Sequence, residues 1–495
     1  MAGKMASLAK DTSIYGLSSI IGRFLNYLLF PIYTRQLETQ SDYGIMTEVY
    51  SWTAMLLVIL TFGMETTLFR FANKEGQDPK RVFSTNLIFV GGLSALFVAL
   101  CYVFINPISA TLRLDPDFIR IMSLVVALDA FQAIIFSYLR LQKRAIKFAS
   151  LKLFFIFMSL ALNLAVIYYV SNNYQDYPSI FGWFNKDNLV KYVFLINLFC
   201  TGIVTFFFIP ELKELRNGFD GRLFRKMFSY TVPILILGIA GILNQVADKI
   251  MYKHLVPGEA GESQLGEYGA AIKIAMIMAL LTQAFRYAYE PMVFNASKES
   301  VNQNNKMYAD AMKYFIIFSI AAFLAVVLYM DILILISGPE YRAGAKVIPI
   351  VMIAEIFMGI YFNLSFWYKL ADKTWWGALF SFIGCGVLIA VNYFFVPKFG
   401  YIACAWGGFA GYGTCMILSY FVGMKYSPVK YPIGQISVYV VIGAIIWYLS
   451  SLLEPLPLWM RLALRTCLLL CYLAYLIKKD MPLRSLPVVG KYFSK

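Results

Sequence analysis

Three basic residues stand where a chain of this kind can least accommodate them. Arg23, Lys273 and Arg286 each fall within a long apolar run. A charge at the centre of a bilayer costs at least ~2.5–3.5 kcal/mol, so it marks either an ion pair or a water-filled cavity. Amide side chains (Asn26, Asn244, Gln245 and Gln283) stand on the same runs or on the run just before Lys273. Together these residues describe a cationic cavity for a polyanion, because a guanidinium fork matches phosphate oxygens. The spacing puts Lys273, Gln283 and Arg286 on roughly one helical face. Acids on the neighbouring runs supply a second reading, an ion-paired seam. Glu48 is expected to pair with Lys273, and Glu290 lies one helical turn from Arg286. A seam that breaks and reforms also serves as a gate. Asp129 and Glu355 are lone acids on two further runs, suited either to loading an ion or a proton or to a helix–helix hydrogen bond. With Glu48, Glu65, Asp248 and Glu290 they form the set of gating or ion-coupling candidates.

Other chemistry finds little support. The sole histidine is His254, which leaves no His-based metal or catalytic centre. The seven cysteines are scattered through apolar stretches without a CxxC pair, so they read as small buried hydrophobes. No Gly-rich P-loop provides an ATPase engine. No catalytic residue and no metal ligand is assigned, and the chain reads as a non-enzyme.

The elements that must position these charges are membrane helices. Of 495 residues, 60% are hydrophobic and 14% charged, with a formal net charge of +15 and a mean hydropathy of +0.66. Ordinary soluble proteins are about 45–50% apolar and about 25% charged. That composition excludes a soluble enzyme and a disordered chain. Charges scattered between apolar runs exclude a basic nucleic-acid binder. A helix needs about 20 apolar residues to cross the hydrocarbon core. About fourteen such runs follow one another, the first near 12–34 and the last near 458–477, giving an all-α polytopic membrane protein. Lys and Arg concentrate in alternate connections (Arg70 to Arg81, Arg140 to Lys152, Lys213 to Lys226, Lys369 and Lys373, Lys425 and Lys430) and in the tail after Lys478. The positive-inside rule then puts both termini in the cytoplasm. Lys249 and Lys253 fall to the outer side in that count. Aromatic residues at span ends form interfacial belts, and Trp367 and Tyr368 beside Lys369 also offer rings on which sugars stack.

The chain repeats itself. Asp42-Tyr43-Gly44 returns as Glu267-Tyr268-Gly269, and at the same separation Glu48 falls on Lys273 and Glu65 on Glu290. One residue further along the register, Asp129 falls on Glu355 and Lys143 on Lys369. An even number of spans lies between the copies, so both insert with the same orientation. The expected organisation is an N-lobe of helices 1–6 over residues 1–210, a charged cytoplasmic connection over 211–227 and a C-lobe of helices 7–12 over 228–425. Helices 13 and 14 with a cytoplasmic tail, over 426–495, complete two pseudo-symmetric six-helix lobes plus two C-terminal helices.

The order of these features resembles a known family. Lys10-Asp11-Thr12-Ser13-Ile14-Tyr15-Gly16 leads to Pro31-Ile32-Tyr33-Thr34-Arg35 and then to Asp42-Tyr43-Gly44. Phe219-Asp220, Tyr230 and Pro233 open the second half. This is similar to the Wzx-type polysaccharide flippases of the multidrug/oligosaccharidyl-lipid/polysaccharide exporter superfamily. The resemblance implies movement of an undecaprenyl-pyrophosphate-linked oligosaccharide from the cytoplasmic to the periplasmic leaflet of a bacterial inner membrane by alternating access. The product would feed O-antigen, capsule or exopolysaccharide assembly. It further implies a cavity in which Arg23, Lys273 and Arg286 meet the pyrophosphate, with no cofactor beyond a coupling ion, Na+ or H+. The implied partners are the lipid-linked oligosaccharide, membrane lipids and the polysaccharide polymerase with its chain-length machinery, with no nucleic acid. A lipid II flippase or a multidrug/cation antiporter of the same superfamily remains the alternative. A membrane-embedded polymerase or ligase is a further one, disfavoured by the short outer loops.

Overall fold

A computed structural model describes residues 27–74, 76–296, 301–371 and 373–480. Arg23 and Asn26 lie outside these residues, and the side chain of Glu290 lies outside those described. The described residues hold helices and no strand. Thirteen of the helices are long and apolar enough to cross a membrane. They follow the runs expected from the second onward. Of the first run only its end appears, as α1 (Phe30–Gln36).

The chain divides into two compact units, Met1–Ala270 with Val396–Tyr401, and Ala271–Phe395 with Ile402–Lys495. In the first unit the principal helices after α1 are α2 (Gln40–Thr61), α3 (Met64–Ala72), α4 (Pro79–Val103), α5 (Pro116–Leu141), α6 (Ala145–Asn163), α7 (Leu189–Phe206), α8 (Gly221–Leu255) and the start of α9 (Glu259–Ala296). The boundary between units falls inside α9, later in the chain than the charged 211–227 connection. Helix α8 lies along α2, which joins it to the first unit.

Local signals in the sequence set these elements. Thr39 and Asp42 form a capping box at the head of α2. The Asp42 N–H donates to Thr39 Oγ1 at 3.2 Å and the Thr39 N–H to Asp42 Oδ2 at 3.0 Å. Asp220 starts α8 by accepting from the Arg222 and Leu223 N–H groups, each at 3.0 Å. The Leu223 N–H and the nearby Arg81 guanidinium hold its carboxyl below the usual carboxylate range. Phe62 and Gly63, both at positive φ, break the second span between α2 and α3. A Cβ at Gly63 would lie 2.9 Å from Ile234 Cγ2, next to Pro233 inside α8.

The repeated Tyr-Gly motif is a helix–helix contact. A Cβ at Gly44 would lie 2.0 Å from the Glu262 carbonyl oxygen, one at Gly266 would lie 2.1 Å from that of Gln40, and one at Gly269 would lie 2.3 Å from Thr47 Oγ1. Helices α2 and α9 therefore touch backbone to backbone, as small residues permit in membrane bundles. Tyr43 and Tyr268 beside these glycines are buried.

The second unit continues α9 and adds α10 (Val301–Leu328), α11 (Ile348–Leu364), α12 (Trp375–Phe399), α13 (Tyr401–Tyr426), α14 (Ile433–Leu452) and α15 (Leu458–Lys479). Helix α10 packs against α11, α14 and α15. Polar staples fix the last two helices to it. Arg465 of α15 is buried and meets Asp331 at 2.6 Å, and Tyr472 donates to the Ile317 carbonyl at 3.0 Å. Asp480, just past α15, binds the Lys313 ammonium and the Tyr439 hydroxyl. Burial alone would raise the Asp480 carboxyl, but these two donors hold it below its ordinary range.

The glycine contact yields a paired test. Gly44→Ala must push the α2 and α9 backbones apart, and a marked fall in folded, monodisperse protein on fluorescence-detected gel filtration is expected. Gly92→Ala in α4 meets nothing within 4 Å. It should raise thermal stability slightly, since alanine gains about 1 kcal/mol over glycine inside a helix.

Candidate functional site

In the first unit the charge centre is Lys253. It lies in the last turn of α8, is 3% exposed, and meets two carboxylates, Glu262 at 2.8 Å and Glu48 at 3.4 Å. Its ammonium also donates to the Arg113 carbonyl at 2.7 Å, while Ser41 donates to Glu262 Oε2 at 2.6 Å. The expected partner of Glu48 was Lys273, and the expected place of Lys253 was an outer loop. Both expectations are corrected. The apolar run fades before Lys253, but α8 continues to Leu255 and carries the lysine into the wall against α2 and α9.

Other acids of the first unit are likewise partnered by bases that hydropathy assigns to loops. Glu65 accepts from Arg140 at 3.1 Å and from Ser137 at 3.0 Å. Asp129 is half-buried, with Lys152 as its neighbouring cation and Thr201 nearby. Lys152 stands two turns inside α6, with its ammonium 4.1 Å from the centre of the Phe136 ring. Asp248 accepts from the Tyr268 hydroxyl at 2.7 Å and pairs with Lys249 at 3.0 Å. Asn244 is buried and spends its amide N–H on the Ala240 carbonyl at 2.8 Å, whereas Gln245 is exposed. Asn244 and Asp248, one turn apart, thus share the buried side of α8, and Gln245 turns away from them.

In the second unit Lys273, Gln283 and Arg286 ride on α9, and Glu355 is half-buried on α11. The first two α9 residues are half-buried and Arg286 is exposed. The shared face expected for them is corrected as well. Thirteen residues at 3.6 per turn leave Arg286 well over a third of a turn away from Lys273. Arg286 instead belongs to a crevice lined by Thr282, Phe285, Tyr289, Phe362 and Asn363, with its guanidinium carbon 5.1 Å from the centre of the Phe362 ring. A guanidinium on an aromatic face keeps its charge in apolar surroundings and presents its N–H edge to an anion. Asn363 and Phe366 of this crevice also line a larger pocket of about 320 Å3 at the joint ends of α10, α11 and α13. It is walled by Tyr308, Trp367, Tyr420, Tyr426 and Tyr431, with Lys373 at its side. Trp367 stands in this wall as a member of an aromatic cluster. Nothing in the local sequence told it apart from a belt residue, because the rings of the 420–431 segment reach it only through folding.

Comparison with known proteins gives the following. Residues 8–295 match the family described as polysaccharide biosynthesis protein. The chain is 21% identical over 345 residues to Lsg locus putative protein 1 of Haemophilus influenzae, covering 68% of this chain and 78% of that protein. It is 23% identical over 428 residues to the uncharacterized membrane protein MJ1068 of Methanocaldococcus jannaschii, covering 80% of each. Among solved structures, the lipid II flippase MurJ in an inward closed conformation has a TM-score of 0.72 at 14% identity, covering 93% of this chain and 98% of that one. The MATE multidrug transporter DinF-BH has a TM-score of 0.57 at 13% identity, covering 85% and 94%. At these identities the likeness is one of fold.

The Lys253 centre generates a test independent of transport. Lys253→Met leaves buried Glu48 and half-buried Glu262 without their ammonium and should cost ~3–5 kcal/mol. A large fall in melting temperature of the purified protein is expected. Adding Glu48→Gln to Lys253→Met should restore part of the loss, and no restoration would deny the coupling.

Proposed function

The chain belongs to the polysaccharide biosynthesis protein family, and from that premise we propose that it is a flippase for an undecaprenyl-pyrophosphate-linked oligosaccharide. In this reading it carries the repeat unit by alternating access from the cytoplasmic to the periplasmic leaflet of a bacterial inner membrane, with both termini cytoplasmic, and supplies O-antigen, capsule or exopolysaccharide assembly. Residues 1–210 and 228–425 act as its two repeated lobes. The protein itself is a multi-pass membrane protein with the fold of an exporter of the flippase and multidrug-transporter superfamily.

The observation that carries the reading is Arg286. An exposed arginine on a membrane-crossing helix, its guanidinium over the Phe362 ring beside Thr282 and Asn363, supplies the fork that recognises a doubly charged pyrophosphate. Lys273 and Gln283 are further polar candidates on the same helix, and the sequence adds Arg23 and Asn26 on the first run. The opposed charges of the first unit have a different part. Asp129 with Lys152 and Thr201 is the site proposed to load the coupling ion, Na+ or H+, while Glu48 and Asp248 serve the gate. No chemical step is assigned to any side chain. The fold likeness to a lipid II flippase supports one second reading, in which the pyrophosphate-linked cargo is the peptidoglycan precursor.

Complementation decides between them. Expression in a strain lacking its lipid-linked oligosaccharide flippase should restore surface polysaccharide. Arg286→Ala should abolish that restoration at unchanged membrane abundance, and Arg286→Lys should recover only part, since lysine is a point charge without the fork. Rescue of a strain lacking its lipid II flippase instead would favour the second reading. Full output from Arg286→Ala would remove Arg286 from the substrate path.

A further inference from the structure

The larger pocket beside the Arg286 crevice has no part in the charges considered so far, and its walls have their own chemistry. Rings dominate it. Trp367 and Tyr426 lie parallel, 7° apart in plane with centroids 5.7 Å apart, and Tyr420 and Tyr431 stand 6.2 Å apart. Polar groups interrupt the rings at Asn305, Asn363 and Ser427. The Lys373 ammonium lies 4.8 Å from the centre of the Tyr426 ring. The Trp367 Nε1–H is buried with no acceptor among the described residues. It leans on Gly423, where a Cβ would lie 2.9 Å from it.

We propose that this pocket is a saccharide subsite, in which the sugar next to the pyrophosphate lies on the Trp367, Tyr308 and Tyr431 rings while Arg286 holds the phosphate. The proposal rests on the flippase reading and deepens it. A pyranose offers C–H faces to the negative faces of aromatic rings and hydroxyls to amides, which matches a wall of rings broken by asparagines. A volume of about 320 Å3 is within the range of small-molecule sites, roughly 300–1,000 Å3. An aromatic cage for an organic cation is the other use of such rings, but Lys373 and Arg286 repel a cation and attract a phosphorylated or acidic sugar. Adjacency adds the last argument. Asn363 and Phe366 line both the pocket and the Arg286 crevice, so a sugar in the pocket lies beside the arginine that would meet its phosphate. Lys369, Lys373, Lys425 and Lys430 flank the helix ends that form the pocket. By the positive-inside rule this is the cytoplasmic end, where the cargo is loaded.

The test uses the full-length protein in nanodiscs of phosphatidylethanolamine and phosphatidylglycerol, free of glycoside detergents. Three probes are titrated calorimetrically: the oligosaccharide released by mild acid from the lipid-linked pool of the producing cell, sugar-free undecaprenyl pyrophosphate, and inorganic pyrophosphate. The released oligosaccharide should bind the wild type. Tyr308→Ala removes a stacking ring, and Gly423→Ala drives the Trp367 indole from its seat; each should weaken that binding about tenfold. Both should leave the affinity for sugar-free undecaprenyl pyrophosphate unchanged. Tyr308→Phe keeps the ring and should keep most of the affinity, which separates stacking from misfolding. The subsite is overturned if the released oligosaccharide does not bind, if Tyr308→Ala and Gly423→Ala bind it as the wild type does, or if sugar-free undecaprenyl pyrophosphate or pyrophosphate competes it out of the pocket. The two readings fail separately. Complementation without saccharide binding sinks the subsite alone, and saccharide binding without complementation sinks the flippase assignment alone.

Discussion

One ammonium among two carboxylates, inside a protein that crosses a membrane, is the constraint on which the first unit depends. Lys253 joins α8 to Glu48 of α2 and Glu262 of α9. It does so only because α2 and α9 approach closely enough for a Cβ at Gly44 to collide with the Glu262 carbonyl. Glycine packing and charge pairing therefore reinforce each other. Small residues bring the backbones together, and the nearness gives a buried lysine its partners, without which burial would be prohibitive.

The other charges sort by what the fold sets around them. Glu65 has Arg140, Asp248 has Lys249 and Tyr268, Arg465 has Asp331, and Asp480 has Lys313. These hold helices in place. In particular, Arg465 and Asp480 attach α14 and α15 to α10, so the helices beyond the repeat are fixed by polar staples as well as by apolar packing. Arg286 has a different setting. The residue is exposed and its guanidinium lies over the face of Phe362, which orients the side chain. A planar, exposed fork so oriented can receive an anion.

In the proposed reading the aromatic pocket extends that logic from phosphate to sugar. Rings gathered from α10, the segment after α11 and the 420–431 stretch make a wall that no single helix carries. It shares Asn363 and Phe366 with the arginine crevice beside it. Recognition of a cargo that is part anion and part carbohydrate needs both surfaces, since a cation gives a sugar little and a ring face gives a phosphate nothing.

Composition and hydropathy period determined a great deal alone. The apolar runs are long enough that each must be a membrane helix, because the backbone has no other way to satisfy itself in lipid, and the spans from the second onward match the helices found. The Asp-Tyr-Gly repeat was legible too, but that Asp42 caps α2 and Gly44 touches α9 is visible only in the fold. Pairing was not legible. Hydropathy ends a span where apolar residues thin out, so Lys253, Arg140 and Lys152 read as loop charges. Helices run on for as long as their hydrogen bonds can be kept, so α5 ends on Arg140 and its neighbours, α6 carries Lys152 inward and α8 reaches Lys253. Which acid meets which base, and which rings share a pocket, depends on helices brought side by side from distant parts of the chain, and only tertiary packing decides that.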